Sequence, residues 1–268
     1  MTYINKTEGY RGDTMRNRKE LSIMAWNVNA RAGYMKYKIP RLVTDTILKV
    51  GADIVVLDEF VRASNWSARS RQLAEVYDRY TYKGKEIKRN EILICIKKNR
   101  GIEVLNVNRK MSGTVGLPVA DFLELDIMYR ETKIKIAGIR LIPMLTAAKK
   151  RIQMENLVRH LCSSEVDKVV CIGDFNATSG YLSRLPHLKR NGYVVNMAKE
   201  GRFSFVHGDG NRVCIDNMIT RGIKVRDFDY SWGFVSEENG YRELQSYDAK
   251  SINHLPDHAI VTAKLGVM

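Results

Sequence analysis

Apolar and polar positions along this chain follow two rhythms: short apolar runs, and longer stretches with a helical period. Leu21–Trp26 reads as a strand. Pro40 and Gly51 bracket a helix with Leu42, Val43, Ile47 and Val50 on one face. Asp53–Leu57 is a second buried strand, and Ile92–Ile96 and Ile102–Val107 are further strand candidates. In Phe122–Met128, Leu123, Leu125 and Ile127 alternate with Glu124 and Asp126, as in a half-exposed strand, and Ile134–Ile139 runs similarly up to Arg140. After Pro143 comes a helix with Met154, Leu157, Val158 and Leu161 on one face and His160 beside it, a packing or surface histidine. Val169–Ile172 is too short for a helix and reads as a buried strand. Tyr193–Asn196, Val213–Ile219 and Ala259–Leu265 complete the strands. Ser64–Asn90 is polar and basic, and Asp229–Pro256 is a long irregular segment. Strands joined by helices and ending in polar residues predict an α/β sandwich rather than an all-α fold. Without repeats or a linker, the expectation is one domain over 21–268 behind a flexible arm, 1–20.

The strand ends carry the candidate chemistry. Val169–Ile172 is stopped by Gly173, and Asp174 and Asn176 follow, two residues apart and pointing the same way. An acid that can take a proton and an amide that can donate hydrogen bonds would share one space, although an Asx turn gives the same pattern. Asp216, inside an apolar run, needs a partner if it is buried.

Composition narrows the class of partner. The 268 residues carry 44 Lys and Arg against 30 acids, a net charge of +14, which favours polyanions such as nucleic acid or an anionic membrane face. Hydrophobic content of 44% with 28% charged residues is that of a globular protein. No apolar run is long enough to span a bilayer, and the polar N-terminus does not read as a secretory signal, so a cytoplasmic location is expected. Cys95, Cys162, Cys171 and Cys214 form no CxxC pair, which argues against zinc and disulfide frameworks and for free thiols. Arg79–Arg89 interleaves tyrosines with cations, a composition suited to phosphate contact and base stacking or to a solvated loop.

Taken in order, Trp26-Asn27-Val28-Asn29, Asp58-Glu59-Phe60, Gly173-Asp174-Phe175-Asn176-Ala177, Ile215-Asp216 and Pro256-Asp257-His258 resemble the motifs of the endonuclease/exonuclease/phosphatase superfamily, with its DNase-I-like fold. The resemblance implies an α/β (α+β) architecture: a four-layer α/β/β/α sandwich of two mostly antiparallel sheets, with the site at one edge. It implies a Mg²⁺ site (or Mn²⁺) at Glu59, supported by Asn27 and Asp257; Mg²⁺ prefers such oxygen ligands and keeps several waters. It makes Asp174 the group that orients and deprotonates a water. Asn176 would hold a phosphate oxygen, and His258 would hydrogen-bond the scissile phosphate with Asp216 fixing its tautomer and charge.

Departures from the family pattern bear on activity. Arg140 stands where many members carry a second histidine; it cannot act as a general acid near neutral pH but can clamp a phosphate. Asn29 replaces an acid found in related endonucleases and is kept as a substrate contact. Asp58 precedes Glu59 where Gln is usual, and Arg62 is a candidate phosphate contact. The expected function is a Mg²⁺-dependent phosphodiesterase, foremost a DNA nuclease. A phosphoinositide phosphatase or sphingomyelinase of the same superfamily, or a non-catalytic nucleic-acid-binding relative, are the alternatives. Nothing in the sequence sets an oligomeric state.

Overall fold

The computed structural model describes residues 19–28, 41–60, 66–81, 91–111, 120–207, 210–235 and 256–267, without the side chains of 66–70. In chain order the elements are β1 (Glu20–Asn27), α1 (Arg41–Val50), β2 (Ile54–Phe60), α2 (Trp66–Val76), β3 (Tyr77–Thr81), β4 (Glu91–Lys97), β5 (Ile102–Asn108), β6 (Asp121–Tyr129) and β7 (Thr132–Arg140). They continue with α3 (Ala147–Cys162), β8 (Lys168–Asp174), α4 (Ser179–Leu182), α5 (Pro186–Arg190), β9 (Val194–Asn196), β10 (Phe205–Val206), β11 (Arg212–Val213), β12 (Asp216–Arg221), β13 (Lys224–Ser231) and β14 (Ile260–Gly266).

Two six-stranded sheets form, in the orders β13-β14-β1-β2-β4-β3 and β5-β6-β7-β8-β12-β9, with a small β10-β11 ribbon beside them. Each is mostly antiparallel, with one parallel pair, β1–β2 and β7–β8 respectively. The expected layered α/β sandwich is therefore the observed one.

The continuous apolar run of β8 shows how the layers divide. Val170 and Ile172 join the core between the sheets, while Val169 and Cys171 join a second core beneath α3 with Met154, Leu157 and Leu161. A strand buried on both faces needs no polar alternation. Gly138 in β7 lets the sheets approach closely, since a Cβ there would lie 2.7 Å from Ile92 and 2.8 Å from Val56 of the other sheet.

Some expectations change. Glu124 and Asp126 of β6 are buried rather than half-exposed, because α3 covers their face of the sheet. His160 of α3 is their partner: its Nε2 lies 2.8 Å from Glu124 Oε2, and Lys135 Nζ lies 2.5 Å from Glu124 Oε1 and 2.9 Å from Asp126 Oδ1. Asp216 opens β12 instead of sitting mid-strand, and Asp229–Ser231, read as irregular, closes the paired strand β13. The polar stretch after Ser64 holds α2 and the edge strand β3, so Arg79-Tyr80-Thr81 are paired residues of a sheet. Val50 is exposed at the end of α1. All four cysteines are free; Cys95 and Cys171 are buried, Cys162 and Cys214 only partly. The N-terminal arm up to residue 18, residues 82–89, Asn29 and Arg62 lie outside the described residues.

Candidate active site

Asn27, Asp58 and Glu59 end β1 and β2 of the first sheet, and His258 precedes β14; Arg140, Asp174 and Asp216 lie at ends of β7, β8 and β12 in the second. The side-chain bonds that join these groups cross from one sheet to the other. Asn27 Nδ2 donates to Asp174 Oδ2 (3.1 Å), and Asp174 N donates to Asp58 Oδ2 (2.8 Å). Arg140 Nε donates to Glu59 Oε1 (2.8 Å), and His258 Nδ1 lies 2.8 Å from Asp216 Oδ2. Within the first sheet, Asn27 Nδ2 is also 3.3 Å from Glu59 Oε1.

Local backbone geometry makes this convergence. Glu59 occupies a bulge where the β2–β4 register shifts between Leu57 and Phe60, at φ +52°. A bulge re-aims a side chain, and a left-handed glutamate is an uncommon, strained conformation. Asn176 is likewise left-handed, at φ +45°. Its N–H donates to Asp174 Oδ1 (2.8 Å) and its Nδ2 to Leu141 O (2.7 Å), the Asx-type turn foreseen as the ordinary reading, here built into the cluster. Gly173, at φ +141°, cannot be replaced: a Cβ would sit 2.1 Å from Ile139 O and 2.7 Å from Asp58 Oδ2.

The electrostatics follow from burial. Asp58 is fully buried, and among the described residues its Oδ1 has no hydrogen-bond partner. Burial, then the charges of Asp174 and Asp216, push its carboxyl well above the usual range, against the pull of the Asp174 N–H and Arg140. Burial also raises Asp174, to about 7, with Asp216 adding and His258 opposing. For His258 burial alone would lower the pKa, but the charge and hydrogen bond of Asp216, with Asp174 and Asp257, outweigh it and carry the imidazole to about 10. The ring is fixed further: Trp26 Nε1 donates to His258 O (3.0 Å) and Phe205 packs on the imidazole, centroids 4.6 Å apart.

Of the ten residues singled out from sequence, eight are described. Asn27, Glu59, Arg140, Asp174 and Asn176 form one hydrogen-bonded chain; Asp216 and His258 form a separate pair, and Asp257 Oδ1 lies 3.9 Å from His258 Nε2, beyond hydrogen-bond reach. The guanidinium of Arg140 is shared between Glu59 and Asp121, whose Oδ2 lies 3.2 Å from Nη1. Residues that sequence reasoning passed over support the cluster. Asp121 faces Arg140 directly in the β6–β7 register, and Ser204 Oγ accepts from both Ile215 N and Asp216 N (3.0 Å each). Only the register could have revealed Asp121.

Among the described residues no three or more His, Cys, Asp or Glu converge on a common point as a metal cage. Mg²⁺ does not require one, since one or two carboxylates plus waters suffice. Glu59 Oε1 is occupied by Asn27 and Arg140, while Oε2 makes no hydrogen bond among the described residues, so this donor set fits a hard cation at Glu59.

Comparison with known proteins agrees with this geometry at the level of fold. No family model and no curated protein matches the chain. Solved structures do. TDP2 from C. elegans superposes with a TM-score of 0.68 at 17% identity over 92% of this chain and 75% of its own. D. rerio TDP2 complexed with single strand DNA product gives 0.64 at 13%, over 92% and 98%. ANGEL2, a 2',3'-cyclic phosphatase, gives 0.65 at 14%, over 92% and 95%. An endonuclease/exonuclease/phosphatase from Bacteroides vulgatus gives 0.64 at 15%, over 92% and 98%. This chain has the DNase-I-like fold. In that fold the six-stranded sheets bring their strand ends together, which is where the Asn27–Asp174 and His258–Asp216 bonds lie.

Proposed function

We propose that this chain is a divalent-metal-dependent phosphodiesterase, with Mg²⁺ or Mn²⁺ as cofactor and DNA as the favoured substrate. The observation that carries the reading is the buried Asp174 carboxylate, held by Asn27 and Asn176 at a basicity of about 7 beside His258. A general base works best with a pKa near the operating pH. Asp174 takes the proton of the attacking water, while Asn27 and the Asn176 N–H keep its oxygens aimed. Asn176 Nδ2, one hydrogen of which goes to Leu141 O, offers the other to a phosphoryl oxygen. His258 is an imidazolium at neutral pH; with Nδ1–H on Asp216, its Nε2–H is directed at the charge developing on the phosphate. Glu59, with Asn27 and Asp257, would hold the divalent cation, which would neutralise charge on the phosphoryl oxygens. Arg140 fixes Glu59 in place for that role and adds positive charge.

The substrate assignment rests on the net charge of +14 and on the single-strand DNA product in the D. rerio relative. ANGEL2, of equal structural similarity, supports a second reading, a phosphatase of the same fold.

Nicking of plasmid DNA with Mg²⁺ and with EDTA tests the reading. The expected result is metal-dependent cleavage, with Asp174→Ala slower by about 10²–10⁴-fold. No cleavage of DNA or RNA, with wild type and Asp174→Ala indistinguishable, sinks the nuclease. Release of inorganic phosphate from phosphomonoesters selects the phosphatase instead, and salt-sensitive DNA binding without turnover selects a non-catalytic role.

A further inference from the structure

A trough runs along α3 from Asn176, the candidate-site residue that lines it. It begins as a cavity of about 470 Å³ that reaches from Asn176 to Lys150, Arg151 and Tyr181. It continues as a larger one of about 780 Å³ past Met154 and Val158 to His187, and the two cavities share Arg151, Met154 and Tyr181. The near end is rigid: buried Gln153 accepts from Ile142 N (3.1 Å), pinning the backbone between β7 and α3. Tyr181 is set by its helix start, where Thr178 Oγ1 accepts from Tyr181 N, and its side chain stays 45% exposed.

The lining has one dominant charge. Lys150, Arg151 and Arg159 face it against a single acid, Glu155. That acid pairs with Arg151 at 3.6 Å, but both are largely exposed and neighbours on one helix, a contact worth little and readily exchanged for a phosphate. An exposed aromatic ring among cations, over an apolar floor, is the surface on which single-stranded nucleic acid stacks. A duplex has no free base face for it, so the ring favours a single strand.

We propose that this trough binds a single strand of DNA running from the candidate site, with phosphates on Lys150 and Arg151 and a base stacked on Tyr181. The strand's course from Asn176 rests on the phosphodiesterase reading; binding in the trough does not. The charge complementarity and the continuity with Asn176 single out this occupant.

The test measures fluorescence anisotropy of a labelled DNA oligonucleotide with the full chain, beside hydrolysis of bis(p-nitrophenyl) phosphate, a diester too small to reach Tyr181. Tyr181→Ala is expected to weaken single-strand binding by about 5- to 150-fold, and Tyr181→Phe to bind as wild type. Lys150→Glu/Arg151→Glu weakens binding and lowers the salt slope by about 1.4. All variants keep the small-diester rate, which also shows that they are folded. Affinity and salt slope unchanged in Tyr181→Ala and the double variant overturn the proposal. So does a loss confined to the double variant and equal for duplex and strand, which marks an unspecific basic surface, or a Tyr181 dependence seen only with RNA. If wild type leaves the small diester intact while binding still depends on Tyr181, the phosphodiesterase reading fails and the trough stands.

Discussion

Two buried clusters of charge, one on the second sheet under α3 and one where the strand ends of both sheets meet, behave in opposite ways. Under α3, Glu124 is held by His160 and Lys135; burial raises its carboxyl, but the hydrogen bonds from these two side chains and the charge of Lys135 more than offset it and leave it below the ordinary range. At the strand ends, burial and like charges push Asp58 and Asp174 up instead. The first cluster lies on regular backbone; the second has left-handed Glu59 and Asn176 and an unpartnered Asp58 oxygen. A satisfied charge network stabilises a fold, whereas strain and unfavourable protonation persist where the rest of the structure over-determines them. The direction of the shift, more than burial, separates scaffold from site.

Exchanging a partner in each cluster puts that contrast at risk. The largest effect is expected from Lys135→Met, which leaves Glu124 with His160 and Asp126 with the more exposed Lys133. Removing one side of a buried pair costs about 3–5 kcal/mol, to be read as a drop in denaturation midpoint. Diester turnover per folded molecule should not change, and a fall in it would join the two clusters functionally.

Next comes the pH dependence of cleavage. Asp174 must be ionised and His258 protonated, so the rate should climb about tenfold per unit up to about pH 7 and fall above about 10. A rate that is flat between pH 5 and 8 would remove Asp174 as the base.

The smallest effect is on melting of the metal-free protein. Asp174 binds its proton more tightly folded than unfolded, so stability from this group declines as pH rises from about 4 to about 7. Glu124, lowered on folding, acts with the opposite sign: its contribution is present above its unfolded value and is lost as pH falls through the folded one. Asp174→Asn should therefore melt several degrees above wild type at pH 8 and alongside it at pH 4. A variant that melts lower at pH 8 would mean that Asp174 belongs with the stabilising network.

Much of the site was legible because it lies at the ends of strong apolar runs. Val169–Ile172 leads straight into Asp174, and the pairing of His258 with Asp216, which the family resemblance implied, is seen at 2.8 Å. What stayed hidden depends on a third layer. Glu124 and Asp126 alternate with apolar residues as a solvent-facing row would; only the arrival of α3 buries them. The edge strand β3, Tyr77–Thr81, exposes both Asp78 and Arg79, which point to opposite faces, so its composition resembles a loop. Asp58 looks like a companion of Glu59, but the bulge turns the two neighbours apart, one into the core and one toward the site.

Gly138 has a consequence for how this molecule can change. It carries no chemistry and stands two residues from Arg140, yet its missing side chain lets Val56 and Ile92 close to within contact of the β7 backbone. Because the hydrogen bonds from Asn27, Glu59 and His258 to the opposite sheet span the gap that this glycine sets, the two sheets work as the jaws of a caliper, with the reading taken at the strand tips. Added bulk at the hinge of that caliper would mis-set the jaws while each strand kept its own pairing. The dimension that matters for chemistry is thus stored in the core, at a position no substrate touches.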